Sequence, residues 1–507
     1  MAHVEKDSTV VSEHREKAVD VDLACKVMGV EGTDVRTTLP KSKEEKALVR
    51  KADILILPLL SGSILFAYLD RGNIGNARIM GLQEDINLSN GQYFNCLMMF
   101  FLGYMLVEFG AGLLLRIFPP RFVIGGAILC FGTVACCMAA VKGYAPLMIL
   151  RVLLGLAEGT GYNVYLYTSL WYKPYELSKR TAAVYGMSPL AGAFSGLFAY
   201  GVQRNLDGAK GYHAWQWLFI IEGVLTIAWA LLIIAILPAL PDTVAAKGSF
   251  IFPHEGERRI IAQRMREGQN TEGSKIRLHQ VWIGLKDPKL YLGSLMIGGL
   301  GIIVGGFSVF LPTFIKEFGF SSLQTQLYSI IPYAFGFVSL VFMGFVSDYL
   351  KHKAWIIFGC FCVVGAGYVV LLATTNKVAL MAGLCIILTG LYPGVIVSVA
   401  WINTMHGGFT KRALAIWFSQ IFIQGYSIIA SQVYTTPPRF YKGHGVGISL
   451  CALAMISTAA LYVIMKRANT QREQRARDFA ARGEIDPLME KDFEDLCDFH
   501  PAWRYPL

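Results

Sequence analysis

The chain has 507 residues, of which 54% are hydrophobic and only 16% charged, well below the roughly 25% charged share of soluble domains. With a mean hydropathy of +0.46, this balance excludes an ordinary soluble globule. The formal net charge of +10 does not mark a nucleic-acid binder, because no folded basic domain stands out from the apolar background.

Residues 1–52 are polar and carry no apolar run with a cleavage site, so they read as a flexible tail rather than a removable signal. Apolar stretches of about twenty residues, enough to cross a core of roughly 30 Å as helix, then recur. They fall near 54–72, 92–115, 122–141, 145–170, 181–202, 215–237, 291–315, 326–347, 355–374, 378–402, 413–434 and 446–465. Unbroken apolar runs require helices, since barrel strands would alternate with period two. The expected fold is an all-α membrane protein of twelve transmembrane helices.

A polar stretch divides the spans six and six. It opens with LPALPDT, whose prolines stop the sixth span, and continues with EGERRIIAQRMREG, an amphipathic charged helix suited to the membrane surface. The expected organisation is an N-tail (1–52), a first half (53–237), a middle loop (238–290), a second half (291–465) and a C-tail (466–507), also flexible. Lys and Arg crowd the tails and the connections after even-numbered spans, such as Lys173, Lys179, Arg180, Lys411 and Arg412. The opposite connections hold scattered ones, such as Lys142, Arg204 and Lys377. The positive-inside bias places both termini in the cytosol. Most of the ten cysteines lie in spans as small apolar packers, and the histidines fall in tails and loops. No metal site and no cofactor is expected.

Charges inside the oily spans carry the chemistry. A charge at the bilayer centre costs roughly 2.5–3.5 kcal/mol on insertion scales, so one that persists faces a polar interior and usually handles a substrate or an ion. Asp70 and Arg71 end span 1, pointing about 100° apart. Arg71 offers a planar fork that fits a carboxylate. In span 4, Arg151 and Glu158 lie seven residues apart on one face, separated by about 10.5 Å of rise, so each needs a partner on another helix or in a wet cavity. Glu158 is the natural proton carrier, since burial favours its neutral form and a nearby arginine its anion. The competing reading is a set of structural ion pairs. Gly155, Gly159 and Gly161 admit a close neighbouring helix. Glu108 and Glu222 are expected in interhelical or capping hydrogen bonds. Tyr333 and Trp401 are candidates to line a cavity, against a packing role.

The two halves echo each other. GFVSDYLKHKAWIIFG joins spans 8 and 9, and its Gly344, Asp348 and Lys353 match the G-x-x-x-D-x-x-x-x-[RK] turn of the major facilitator superfamily. Gly344 is expected to allow close helix approach, with Asp348 and Lys353 as gating charges. Arg116 stands where the first copy would carry its acid.

Further motifs sharpen the resemblance: YLDRGNIGNA, LLGLAEG with Arg151, WLFIIEG, FLPTFIKEFGFS and WINTMHGGFTKRA. Over roughly residues 50–470 the chain resembles the fungal allantoate permease family, anion:cation symporters of that superfamily, whose members carry allantoate, nicotinate, biotin or pantothenate. The resemblance implies two pseudo-symmetric six-helix halves and no enzyme. It also implies proton-coupled uptake of a small organic carboxylate by alternating access, in the plasma or vacuolar membrane, by a monomer whose other partners are protons and the lipid bilayer. It assigns Arg71 to the substrate carboxylate, Asp70 and Glu158 to protons, and Arg151 to setting Glu158. Tyr93 matches a substrate-contacting tyrosine, and Gln424 stands where relatives usually have Asn. Asn163 replaces a frequent proline, a change in the cavity wall that alters which substrate fits. The alternatives are a proton-antiporting exporter of a secondary metabolite, hinted at by Pro189 beside Gly192 and Gly196, and a nutrient sensor that does not transport.

Overall fold

The computed structural model describes residues 42–161, 163–267, 277–350, 352–482, 486–489, 491 and 493–507. Among these residues all regular structure is helical. Twelve long elements cross the molecule. They are α1 (Lys43–Ile79), α2 (Asn90–Ile117), α3 (Pro120–Met138), α4 (Tyr144–Gly161 and Asn163–Trp171), α5 (Pro174–Tyr185 and Met187–Leu206) and α6 (Ala214–Ile236). The second set is α7 (Pro288–Glu317), α8 (Ser322–Tyr328 and Ile330–Leu350), α9 (Lys353–Ala373), α10 (Lys377–Met405), α11 (Phe409–Val433) and α12 (Tyr441–Arg482). Ten contain an apolar window long enough to span a membrane, and α2 and α4 complete the set. Large apolar side chains such as Leu106, Val338 and Phe345 point outward, as a lipid-facing belt requires.

The duplication is visible in the packing. Within the first half α2 packs on α4, α3 on α6 and on α4, and α1 on α5 and on α6. The same pairs recur six helices later, as α8 on α10, α9 on α12 and on α10, and α7 on α11 and on α12. The halves meet through α1 on α7, α2 on α11 and α5 on α8, the set a two-fold pseudo-axis demands. Local chemistry repeats too. α1 and α7 are each followed by a glycine in the left-handed region, Gly81 (φ 104°) and Gly319 (φ 88°), where a Cβ would be strained. A serine capping box then opens the next span, Ser89 with Gln92 and Ser321 with Gln324.

The termini side is strapped by charge. α1 begins at Lys43, so part of the expected N-tail is helix capped by Ser42. The helix Glu255–Glu267 is held on the first half by Arg264, which pairs with Glu45 and, at 2.6 Å, with Glu176. Asp53 of α1 meets Arg180 of α5 at 2.6 Å. In the second half the C-tail departs from the flexible segment read from its polarity. α12 continues to Arg482, and the last residues fold back beneath the bundle. There Asp498 meets Lys411 at 2.5 Å and Lys289 at 3.1 Å, and both lysines also bind Asp287. The lysines supply counter-charges that polarity alone does not reveal. Burial pushes the Asp498 carboxyl up, but Lys289 and Lys411 outweigh it and hold it at about 2. Asp287, His406 and Asp498 are close enough together to suggest metal ligands, yet the lysine ammonium groups already fill the space between the two carboxylates.

Candidate functional site

α1 presents three faces, set by the helical step of about 100° per residue. Tyr68, Gly72 and Asn76 look into the seam between the halves. Arg71 turns toward α2 and α4. Asp70 and Asn73, buried completely, turn into the interior of the first half, where Asn73 donates a hydrogen bond to Glu222 of α6.

The seam holds a small cavity. Besides the α1 residues, Ser188, Gly192, Ser195 and Gly196 of α5, Val304, Ser308 and Pro312 of α7, Ser329 and Tyr333 of α8 and Tyr392 of α10 line it. The lining is hydroxyl-rich: Asn76 donates to Ser195 Oγ at 2.7 Å, and the Tyr333 hydroxyl donates to the Phe307 carbonyl at 3.3 Å. A Cβ on Gly192 would lie 2.4 Å from the Tyr333 ring, so the glycine exists to seat that tyrosine. Gly196 likewise admits Ser329 and Gln326. Packing accounts for Gly192 and Gly196 of α5.

Beside the cavity, Arg71 Nη2 lies 2.9 Å from Glu158 Oε2, with both side chains buried. The guanidinium also stands 4.9, 5.2 and 5.3 Å from the rings of Tyr68, Phe100 and Tyr104, distances at which a cation is attracted to an aromatic face. Close helix approach sets this up, because a Cβ on Gly155 would fall 2.1 Å from the Phe100 carbonyl and one on Gly159 2.7 Å from that of Tyr104. Gly161, the third glycine of that set, meets nothing within 4 Å and takes no part in the approach. Arg151 is buried two turns away, with Nε and Nη2 unpartnered. Both oxygens of Asp70 and one oxygen each of Glu158 and Glu222 are unpartnered as well. A cluster of this kind, dense in charge and poor in hydrogen bonds, is expensive to bury.

The structure therefore brings Asp70, Arg71, Arg151 and Glu158 into one polar cluster and places Tyr333 on the cavity. Other expected positions lie elsewhere. Tyr93 is fully buried, its hydroxyl donating to the Ile74 carbonyl at 3.3 Å and its ring covered by Arg78, so it packs away from the cavity. Asn163 spends its amide on the Ala111 and Thr160 carbonyls at 2.9 Å each, which ties α4 to α2 rather than shaping a wall. Trp401 sits beneath the C-tail and donates to the Pro506 carbonyl at 2.9 Å. Gln424 of α11 faces Glu108 of α2 across the seam. Gly344 meets nothing within 4 Å, so it admits no close helix in this conformation. The Asp348 side chain lies outside the described residues, and Lys353 Nζ donates to Ala400 O and Thr404 Oγ1.

Sequence reasoning missed Tyr68, Asn76, Ser188, Ser195, Ser308, Ser329 and Tyr392 as cavity residues, and Glu222 and Asn73 as members of the cluster. The spacing of Tyr68, Gly72 and Asn76 at four-residue steps was an available signal of a polar helix face.

Two six-helix halves about a polar seam, with buried countercharges beside it, define a secondary transporter of the membrane. Residues 60–431 match the family model of the Major Facilitator Superfamily, and the chain belongs to that family. It is 34% identical over 488 residues to the uncharacterized transporter C1683.12 of Schizosaccharomyces pombe, covering 95% of this chain and 97% of that one. It is 27% identical over 503 residues to the high-affinity nicotinic acid transporter of Saccharomyces cerevisiae, covering 98% and 92%. Among solved structures, the proton:xylose symporter XylE bound to 6-bromo-6-deoxy-D-glucose superposes with a TM-score of 0.60 at 13% identity, covering 82% of this chain and 96% of that one. That likeness speaks for the fold alone.

Proposed function

We propose that this protein carries a small organic carboxylate inward together with protons, as a member of the allantoate permease branch. The observation that carries the reading is the buried Arg71–Glu158 pair at 2.9 Å. A carboxylate already occupies Arg71, so a substrate carboxylate gains that place only when Glu158 takes a proton and lets go. Coupling follows from this exchange. In the loading state Glu158 and Asp70 are protonated and Arg71 holds the anion; on the other side the protons leave, Glu158 reclaims Arg71 and the substrate is expelled. Arg151 supplies the positive potential that returns Glu158 to its anion. A monoanion moving with one proton is electroneutral, whereas each net charge would add about 2.3 kcal/mol per 100 mV.

The three rings around Arg71 favour a flat substrate able to slide along an aromatic face, which agrees with the likeness to a nicotinic acid transporter. Tyr333 and the seam hydroxyls complete the site. The Lys/Arg bias supports cytosolic termini, and the plasma membrane is the natural location for uptake, with the vacuolar membrane as the alternative. One subunit holds the whole site, so the working unit is a monomer.

A thermal-shift screen of nicotinate, pantothenate, biotin, allantoate and small dicarboxylates on purified protein names the ligand. Arg71→Ala then abolishes its binding, and unchanged affinity removes the anchor. Glu158→Gln stops proton-driven accumulation yet permits counterflow, and accumulation with a normal pH dependence would overturn the coupling.

A further inference from the structure

The segment that leads into α7 contains a helix, Leu278–Lys286, with two unlike faces. Gln280 and Gly284, four residues apart, are buried. The Gln280 carboxamide oxygen accepts from the backbone N–H groups of Thr410 and Lys411 at 2.9 and 3.3 Å. These are first-turn donors of α11, which a helix leaves without partners of its own, so Gln280 caps α11 from another element. Gly284 makes the approach possible, because a Cβ there would lie 2.8 Å from a Leu414 methyl group.

Among the described residues nothing covers the opposite face. Leu278 is 75% and Trp282 66% exposed, and Lys286 follows at the same four-residue step, also exposed. The two sets are offset by two residues, about 200° around the helix. Fixing Gln280 on α11 therefore turns Leu278 and Trp282 away from the protein. The charged helix Glu255–Glu267 does the reverse. Its sequence has the amphipathic pattern of a membrane-surface element, yet its apolar residues Ile261 and Met265 face Leu48 and Ala52 of α1.

Position and composition decide what meets the bare face. Only Asp287 separates this helix from α7, a membrane-spanning element. Tyr291, near the start of α7 and 40% exposed, donates to the Leu285 carbonyl at 2.8 Å, which ties the two helices together where α7 begins its span. A tryptophan and a leucine on one face with a lysine at its end suit a segment lying in the lipid–water interface, where the lysine stem reaches toward the headgroups. The chain just before it, GQNTEGSKI, has one apolar side chain, too few to cover both Leu278 and Trp282.

We propose that Leu278–Lys286 is an interfacial anchor whose partner is the bilayer surface on the termini side. Leu278 and Trp282 lie among the lipids, and Gln280 passes that fixed point to α11. Because α11 packs on α2 of the other half, the anchor holds one of the helices along which the halves move, whatever the substrate.

Nitroxide spin labels in proteoliposomes test the contact. They are placed at Leu278→Cys and Trp282→Cys in a cysteine-depleted background, with Arg259→Cys, whose native side chain is 79% exposed, as the reference. Collisions with oxygen, which dissolves in lipid, are compared with those of a water-soluble nickel chelate. Oxygen should dominate at the first two sites and the chelate at the third. Chelate collisions dominating at the first two would place the face in water, and exclusion of both probes would mean that protein covers it; either result overturns the anchor. Both positions are bare in the fold, so the labels displace no packed side chain. Gln280→Ala tests the hold on α11: amide hydrogen exchange over residues 410–414 should speed up about five- to tenfold, as loss of a cap allows. Unchanged exchange would overturn that part of the proposal.

Discussion

Gly75 is a point of very close approach between the two halves. A Cβ placed there would lie 2.1 Å from the Val309 carbonyl oxygen of α7, roughly 1 Å inside the tightest contact that Cβ atoms tolerate. The Ser322 hydroxyl donates to Ile79 O at 3.2 Å nearby, so this end of the seam, away from the termini, is shut. Gly75→Ala therefore opposes the shut conformation but leaves the interior of each half untouched. Overpacking of this kind costs about 1–3 kcal/mol. That converts to about a 5- to 150-fold shift toward the conformation open on that side. Spin labels at the exposed positions Glu84 and Leu323, one in each half, read the shift in a cysteine-depleted background as growth of a longer-distance population. Turnover should fall with it, because every cycle must close this end. An unchanged distance distribution would refute the view that the α1–α7 crossing is a gate.

Asp498→Asn leaves two buried lysines with one carboxylate, Asp287, between them. Removing one partner of a buried pair costs about 3–5 kcal/mol, so the thermal midpoint of the purified protein should drop by about 3–5 °C. A change of only a degree or two would mean that the tail is not held by this contact. His406 is buried beside the same cluster, and burial first, with Lys411 and Lys289, holds it down at about 4. The unfolded chain protonates its histidine near 6.5 while the folded one resists, so stability should fall as pH drops from about 6.5 to about 4, by at most about 1.4 kcal/mol per unit. His406→Gln should flatten that part of the stability–pH curve; an equally steep curve would assign the slope to other groups.

Hydropathy alone determined the twelve spans and their grouping by six, because a bilayer admits only segments that satisfy their own backbone. The cost of burying charge singled out Asp70, Arg71, Arg151 and Glu158 for the same reason. What the sequence left open was pairing. Glu158 joins Arg71 across 87 residues, and neither residue type nor spacing within α4 names a partner on α1. Tyr93, Asn163 and Trp401 looked like site residues, but the positions of Ile74, Ala111 and Pro506 turned their polar atoms into packing ties. The seam cavity is made by small and hydroxyl side chains from five helices, none of which is informative alone. The C-tail, rich in charge, is held by Lys289 and Lys411 together with Trp401, Asn469 and Arg472. One-dimensional patterns report what each segment must do with water and lipid, whereas the identity of a neighbour depends on how helices distant in sequence cross.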